Sequence, residues 1–412
     1  MVKFNAAWLA MITLVLVAGP RASVADDDAS RGFDVYELAI FVCDPNRDLV
    51  NERTMFGSTM PSRTANHRPA AEAMQSGRAY PVSVIQLHGE SDAEVDVVID
   101  LIKKAKILGH WPKARARNRR LLWEGLRVTS DRDGEGRPTV PEGHWFHGLR
   151  QGDAEYLQYR SVTERFLVYD VELPNVVRLA VESSEDGIYT VVSRQAAPLH
   201  DVCIYEPDTD ATWRTAEAQP IAAANEETNE IRLKAAIGPG IGSPQLSATE
   251  TKEVRLQIDL TKAKAQGSAE VLAFWAGRLR ELGLSQSHVD YALAVLRNHG
   301  LDEKYLTVVY RLDASVLEKL TQLDVTPQPR RTVRVALVIV VRADPKFDTE
   351  IDALIGQLGD PQWTRRQAAQ QRLTDLGSAI RPRLKKALEH KDLEVVYRVE
   401  RLIARLSSVG GE

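Results

Sequence analysis

The sequence predicts a multi-domain chain: a mostly β N-terminal region of antiparallel sheets, then an α+β unit, then a C-terminal α-helical module. Three observations predict it. Short β-branched or alternating runs, separated by turn formers, fill the stretch from Asp34 to about Ile221, and many short strands at close spacing imply antiparallel pairing. Two strongly alternating runs, Glu253–Leu260 and Arg331–Arg342, bracket a helical block. From Asp348 to Leu406 apolar residues recur at helical spacing in four runs, each a stripe that needs a partner to bury it.

At 412 residues the chain has room for about two to four domains. Its 53 Lys and Arg nearly balance 57 Asp and Glu, which argues against a dedicated nucleic-acid surface. Residues 1–25 read as a signal peptide, with Lys3, an apolar run from Ala6 to Ala18, and small Ala22-Ser23-Val24-Ala25 before Asp26-Asp27-Asp28. The run is short for a bilayer span of about twenty residues, and no later stretch is apolar enough to cross as a helix. No Cys directly follows the run, so lipid attachment there is unsupported. The expectation is a secreted or periplasmic protein of the cell envelope, with no transmembrane anchor after cleavage.

Residues 34–148 form the first expected β domain, with strands at Val35–Val42, Val82–Leu87 and Val95–Leu101. Residues 155–216 form the second, an immunoglobulin-like sandwich with strands at Phe166–Val171, Val177–Val181, Tyr189–Val192 and Val202–Tyr205. Asp44-Pro45-Asn46, Asp131-Arg132-Asp133-Gly134, Glu185-Asp186-Gly187 and Glu206-Pro207-Asp208 are expected to supply turns. Asn46 to Tyr80 lacks periodicity and reads as a long loop. The two cysteines, Cys43 and Cys203, each fall in a strand. In an exported protein they could form a disulfide, whose long loop would make it worth roughly 5 kcal/mol, or remain two buried thiols that never meet.

Residues 217–250 read as a linker, with one strand, Glu230–Ile237, inside it. Its Gly238-Pro239-Gly240-Ile241-Gly242 cluster is no phosphate loop, because Pro244 and Gln245 stand where Lys and Ser or Thr would open a helix. Residues 251–343 form the α+β unit. Leu272, Trp275, Leu279 and Leu282 mark one helix; Val289, Leu293 and Leu296 mark a second that Ser285 caps; Leu301–Leu323 adds further short helix. The strand Val333–Val341 is apolar on both faces, so the helices from Ile351 onward are expected to cover part of it.

The last module, residues 348–407, has four apolar stripes: Ile351, Leu354, Ile355, Leu358; Ala369, Leu373, Leu376; Ile380, Leu384, Leu388; and Val395, Val399, Leu402, Leu406. Asp360 and Asp392 begin two copies that agree at the apolar residue three later, Trp363 and Val395, and at the Arg six later, Arg366 and Arg398. With Leu358-Gly359-Asp360-Pro361, Leu376-Gly377, Pro382, Ala387-Leu388 and Glu394-Val395, this resembles the HEAT-type helical repeat of bacterial proteins. The resemblance covers only this end, and it departs from the family in its shorter period and in holding barely more than one unit. It implies a helical module that binds or braces a protein partner. Four short helices leave apolar faces uncovered, so they are expected to depend on the unit before them.

Chemistry-bearing patterns are few. His144 and His147 could share a metal in a hydrolase, but Glu142-Gly143 and Gly148 argue for a loop or strand edge, where residues three apart face opposite sides. Lys103, Lys104, Lys106, Lys113, Arg115, Arg117, Arg119 and Arg120 form a basic stretch around Trp111 that could hold an anionic glycan, with the indole stacking on a sugar. No Gly-x-Ser-x-Gly elbow occurs. The combined reading is an exported, non-enzymatic interaction protein without a cofactor; the alternatives are the hydrolase and the glycan binder. Mass spectrometry of the exported product should find its N-terminus near Asp26, and retention of Ala6–Ala18 would contradict the cleavage.

Overall fold

The structure is a computed structural model. It describes residues 32–43, 82–89, 93–130, 139–140, 144–173, 179–185, 187–194, 197–209, 211–220, 253–301 and 305–408. The segments expected to be a signal peptide (1–25), a long loop (46–80), a turn (131–134) and a linker strand (230–237) lie outside the described residues.

The described residues are mostly β, with 43% of them in strands, and the eight α-helices among them are mostly C-terminal. The first nine strands are β1 (Phe33–Cys43), β2 (Ser83–Gly89), β3 (Glu94–Leu101), β4 (Lys106–Trp111), β5 (Arg115–Arg117), β6 (Arg120–Thr129), β7 (Tyr156–Tyr159), β8 (Val162–Glu164) and β9 (Leu167–Glu172). Then come β10 (Leu179–Glu185), β11 (Ile188–Ser193), β12 (Leu199–Thr209), β13 (Thr212–Glu217), β14 (Gln219–Pro220), β15 (Val254–Asp259), β16 (Ala265–Gly267), β17 (Thr307–Leu312), β18 (Thr321–Thr326) and β19 (Arg331–Val340). The helices are α1 (Phe146–Gln151), α2 (Ser268–Glu281), α3 (Gln286–Val295), α4 (Ala314–Leu320), α5 (Pro345–Gln357), α6 (Trp363–Asp375), α7 (Arg381–Lys386) and α8 (Leu393–Ser408).

A nine-stranded sheet in the order β16-β13-β12-β17-β19-β1-β2-β9-β4 forms the centre. Its pairs are antiparallel except β1 with β19, which run parallel from Asp34↔Arg331 to Cys43↔Val340. A six-stranded sheet (β18-β3-β6-β7-β8, with β5 on β6) and a four-stranded sheet (β10-β11-β15-β14) complete the β structure. The nine-stranded sheet takes strands from 34–148, 155–216 and 251–343 alike. Strands between Tyr156 and Glu217 are distributed over all three sheets, so they do not close the sandwich that their spacing suggests. Alternation identifies a strand; it does not name the strand beside it.

Because successive side chains on a strand face opposite ways, the central sheet buries two cores. On one face Val35, Ala39, Ala336, Val338 and Val340 meet Val97, Ile99, Leu121 and Trp123 of the six-stranded sheet and Tyr189 and Val191 of the four-stranded sheet. On the other, Leu38, Ile40, Leu337 and Ile339 meet Phe146 of α1, Trp275 and Leu279 of α2, and Val289 and Val295 of α3. The strand Val333–Val341 is thus covered on both sides, but by the opposing sheets and by α1–α3. The C-terminal helices instead close a third core of their own, which, among the described residues, Tyr305 enters from the rest of the chain. Leu301–Leu323, expected to be helical, holds α4 but also β17 and the start of β18. The β-branched and aromatic run Thr307-Val308-Val309-Tyr310 pairs with β19 and β12, and these pairings outweigh local helical preference.

Both cysteines are thiols. Cys203, Val309, Ile339 and Val42 form one row across β12, β17, β19 and β1 on the helix-covered face. Cys43 belongs to the opposite face. Three strand spacings, about 14 Å, separate the two strands, far beyond disulfide reach.

The parallel register sets Glu37 of β1 opposite Arg334 of β19, and Arg334 Nε donates to Glu37 Oε2 at 2.5 Å. Glu37 is fully buried and also accepts from the Tyr169 hydroxyl of β9. Burial first, and the Glu37 carboxylate second, push the Tyr169 phenol well above its ordinary pKa, so it remains a donor. Arg334 continues to the Thr321 hydroxyl of β18 at 3.1 Å and to Glu318 of α4. Removing one partner of such a buried pair strands the other. Arg334→Met should therefore lower unfolding free energy in urea by about 3–5 kcal/mol, and Glu37→Leu combined with Arg334→Met should recover much of that loss.

Candidate interaction surface

The alternative in which His144 and His147 share a metal finds no further ligand beside them among the described residues. His144 precedes α1 and His147 lies in its first turn, so this segment is helical rather than the loop or strand edge expected. His144 is buried, its Nδ1 accepts from the Phe146 amide at 3.2 Å, and its ring stacks on Trp145 and meets Phe146 edge-on. Apolar packing has turned this imidazole into the core. The other candidate histidines do not converge on it: His110 Nδ1 accepts from the Ala114 amide at 3.0 Å, His200 faces Asp313 at 3.1 Å, and His88 packs on Tyr36. Among the described residues no group of three or more His, Cys, Asp or Glu is placed to hold a metal.

The basic stretch runs from the end of β3 through β4 and the β5–β6 hairpin. Lys103, Lys104, Lys106, Lys113, Arg115, Arg117, Arg119 and Arg120 are all exposed. Arg115 faces Glu124 at 3.5 Å and Arg120 faces Asp100 at 3.7 Å, both in open solvent where such pairs are weak. Trp111, which the glycan alternative would use to stack on a sugar, is buried instead. Its indole donates to Glu164 at 3.2 Å, and Arg150 holds the same carboxylate. An indole in the middle of a basic run is amphipathic, and here its apolar body won.

A polar cluster that sequence reasoning missed sits at the start of α3. Ser285, read correctly as a helix cap, accepts from the His288 amide and lies 3.0 Å from His288 Nδ1, while Ser285 and Ser287 both donate to Gln86 Oε1. His288 Nε2 faces the Val84 carbonyl at 3.3 Å, which requires the proton on that nitrogen. Complete burial lowers the imidazole to about 3, so it is a neutral strut between β2 and α3. Its only sequence signal was the cap.

The C-terminal unit differs from the rest of the molecule. Among the described residues, the large hydrophobic side chains that stand exposed are Trp363, Leu388, Leu393 and Tyr397, and all four belong to it. On α8 the residues Val395, Val399, Leu402 and Leu406 are buried, which places Leu393, Tyr397 and Arg401 on the outer stripe; Arg401 lies over the Tyr397 ring. Trp363 begins α6, two turns before Gln370 on the same stripe, and Gln370 accepts from Arg398 of α8 at 3.1 Å. A Cβ added to Gly359, before α6, would lie 2.6 Å from Asp392 and 2.9 Å from Val395, so the starts of α6 and α8 adjoin. Arg372 joins the unit to the body by donating to Tyr305 at 2.7 Å and to Glu350 of α5 at 3.0 Å. Comparison with family models, curated proteins and solved structures finds no match to this chain.

The buried titratable groups predict a pH profile. Burial holds His288 near 3 and, with Lys113 adding to it, His110 near 4, whereas burial pushes Asp170 up to about 8. The two imidazoles bind fewer protons folded than unfolded, so their contribution is full above pH 6.5 and is lost as pH falls toward 3–4. Asp170 binds more protons folded than unfolded between about 4 and 8, so stability falls as pH rises through that window. Unfolding free energy from urea titrations should therefore peak near pH 6.5. Between there and about pH 8 it should decline with a limiting slope of about 1.4 kcal/mol per pH unit, and Asp170→Asn should abolish the decline in that window.

Proposed function

We propose that this is an exported, non-enzymatic protein of the bacterial envelope whose C-terminal helices form a HEAT-like module that binds a protein partner. One observation carries the reading: the exposed Trp363, Leu388, Leu393 and Tyr397 all lie on a unit that already has its own closed core. Large apolar groups left in solvent on one unit are expected where another surface covers them. The two copies read from the sequence support the repeat character. Asp360 accepts from the Gln362 amide at 2.8 Å, and Asp392 from the Glu394 amide at 2.9 Å, the same local turn bond twice, although only Asp392 stands directly before its helix. They part at the next position, where Val395 is 1% exposed and its counterpart Trp363 is 62% exposed. A residue that the repeat would bury is thus offered outward.

Charge narrows the partner's chemistry. Residues 345–408 carry twelve Lys and Arg against nine Asp and Glu, although acids outnumber bases over the whole chain. A partner face with apolar sockets and an acidic rim suits Trp363, Tyr397 and Arg401. The separate core favours binding over bracing, since the central sheet does not need these helices for cover. The anionic-glycan alternative keeps its exposed cations but loses the stacking ring of Trp111.

A photoreactive residue at position 397, with one at the exposed body position 262 as control, tests the reading in the producing cell. Position 397 should give a discrete protein adduct that Trp363→Ala weakens, while the variant's unfolding free energy stays within about 0.5 kcal/mol of the parent. The same adducts from both positions, or none from 397, would overturn it.

A further inference from the structure

β18 ends the six-stranded sheet. Its register with β3 runs unbroken from Thr321↔Leu101 to Thr326↔Asp96, and no described strand pairs with its other edge. Such an edge presents a row of backbone donors and acceptors to any extended chain, and proteins usually blunt it with lysine, proline or a bulge. Thr321-Gln322-Leu323-Asp324-Val325-Thr326 contains no lysine, no proline and no bulge.

The space beside this edge is shaped for a strand. Residues 327–330, a loop of hairpin length, join β18 to β19, yet the two strands do not pair. Their Cα atoms lie more than 8 Å apart along nearly their whole length, where a paired ladder would hold them at about 5 Å. A trough of about 510 Å³ opens there, lined by Leu323, Asp324, Val325, Thr326, Pro329 and Thr332. Four consecutive residues of one strand point to both faces in turn, so a hollow that touches all four follows the edge and not a face. Thr332 shares the face of β19 that carries Arg334 and Ala336 toward the opposing sheets, so it lies under the trough. At the closed end Arg334 spans the same gap with its side chain to reach Thr321.

We propose that the β18 edge is a second docking site, independent of the C-terminal helices, which takes an extended polypeptide segment by strand addition. The side chains state what that segment carries. Leu323 and Val325 are half-buried toward the core margin, so the inward positions of the added strand are β-branched or aliphatic. Gln322, Asp324 and Thr326 are exposed on the outer face, and Asp324 has no partner among the described residues, so a cation sits opposite it. Backbone pairing supplies the attachment, and alternate side chains supply the selection.

The test uses the full-length protein and two fluorescent, end-blocked hexapeptides, Thr-Val-Lys-Val-Thr-Val and its Glu-for-Lys counterpart. The Lys peptide should bind about fivefold more tightly than the Glu peptide, as expected for an attractive rather than a repulsive cross-strand pair. Asp324→Lys, a change at an exposed side chain, should reverse that order. Hydrogen exchange should show the bound peptide slowing amides within 321–326 and leaving those of 393–408 unchanged, which separates this site from the helical one. Equal binding of both peptides, an order unchanged by Asp324→Lys, protection elsewhere, or no binding of either peptide would overturn the proposal.

Discussion

The parallel pairing of β1 with β19 is the contact on which the architecture depends. It joins residues separated by 297 positions at Glu37 and Arg334, and every other strand of the central sheet is added to one side or the other of this pair. Eight of the ten register positions carry no charge, so the pair is held mainly by apolar burial on two faces. The ion pair contributes something different. A carboxylate and a guanidinium facing each other in the interior fix this register, since a slip by one residue would set each against an apolar side chain.

From that pair the two cores follow. One face of β1 and β19 requires a sheet, because the strands that reach it alternate, and the other requires helices, because α2 and α3 carry their apolar residues at helical spacing. Arg334 connects the levels: it neutralises Glu37, reaches β18 in the opposing sheet and meets Glu318 at the end of α4. Pairings of such long sequence separation also imply slow folding, since the sheet cannot close until its last strand is made.

The C-terminal helices stand outside this logic. Their core is their own, and beside the approach of α5 to β10 the link to the body is a polar and aromatic joint in which Tyr305 packs edge-on against Phe347 and shares Arg372 with Glu350. A unit joined in this way is available for a role that the sheets do not need, and its outward Trp363 and Tyr397 are consistent with binding. The β18 edge offers a different kind of contact, made by backbone instead of aromatic anchors.

The sequence by itself determined which segments are strands and which are helices wherever period and punctuation agreed. The alternation in Val95–Leu101, the cap at Ser285 and the four stripes after Asp348 all appear as elements. These signals are local, and local spacing sets which face of an element is apolar. It does not say what that face meets. Only the tertiary structure decided that β1 and β19 are neighbours, that the strands from 156 to 217 separate among three sheets, and that Cys43 and Cys203 lie on opposite faces. It also turned Trp111 and His144 inward and left Trp363 outward, though each is an aromatic ring with polar neighbours in sequence. Burial of such a ring depends on whether a distant surface supplies a cavity and a hydrogen-bond partner, as Glu164 does for Trp111. That pairing is a property of the assembled sheets, and no spacing within either segment encodes it.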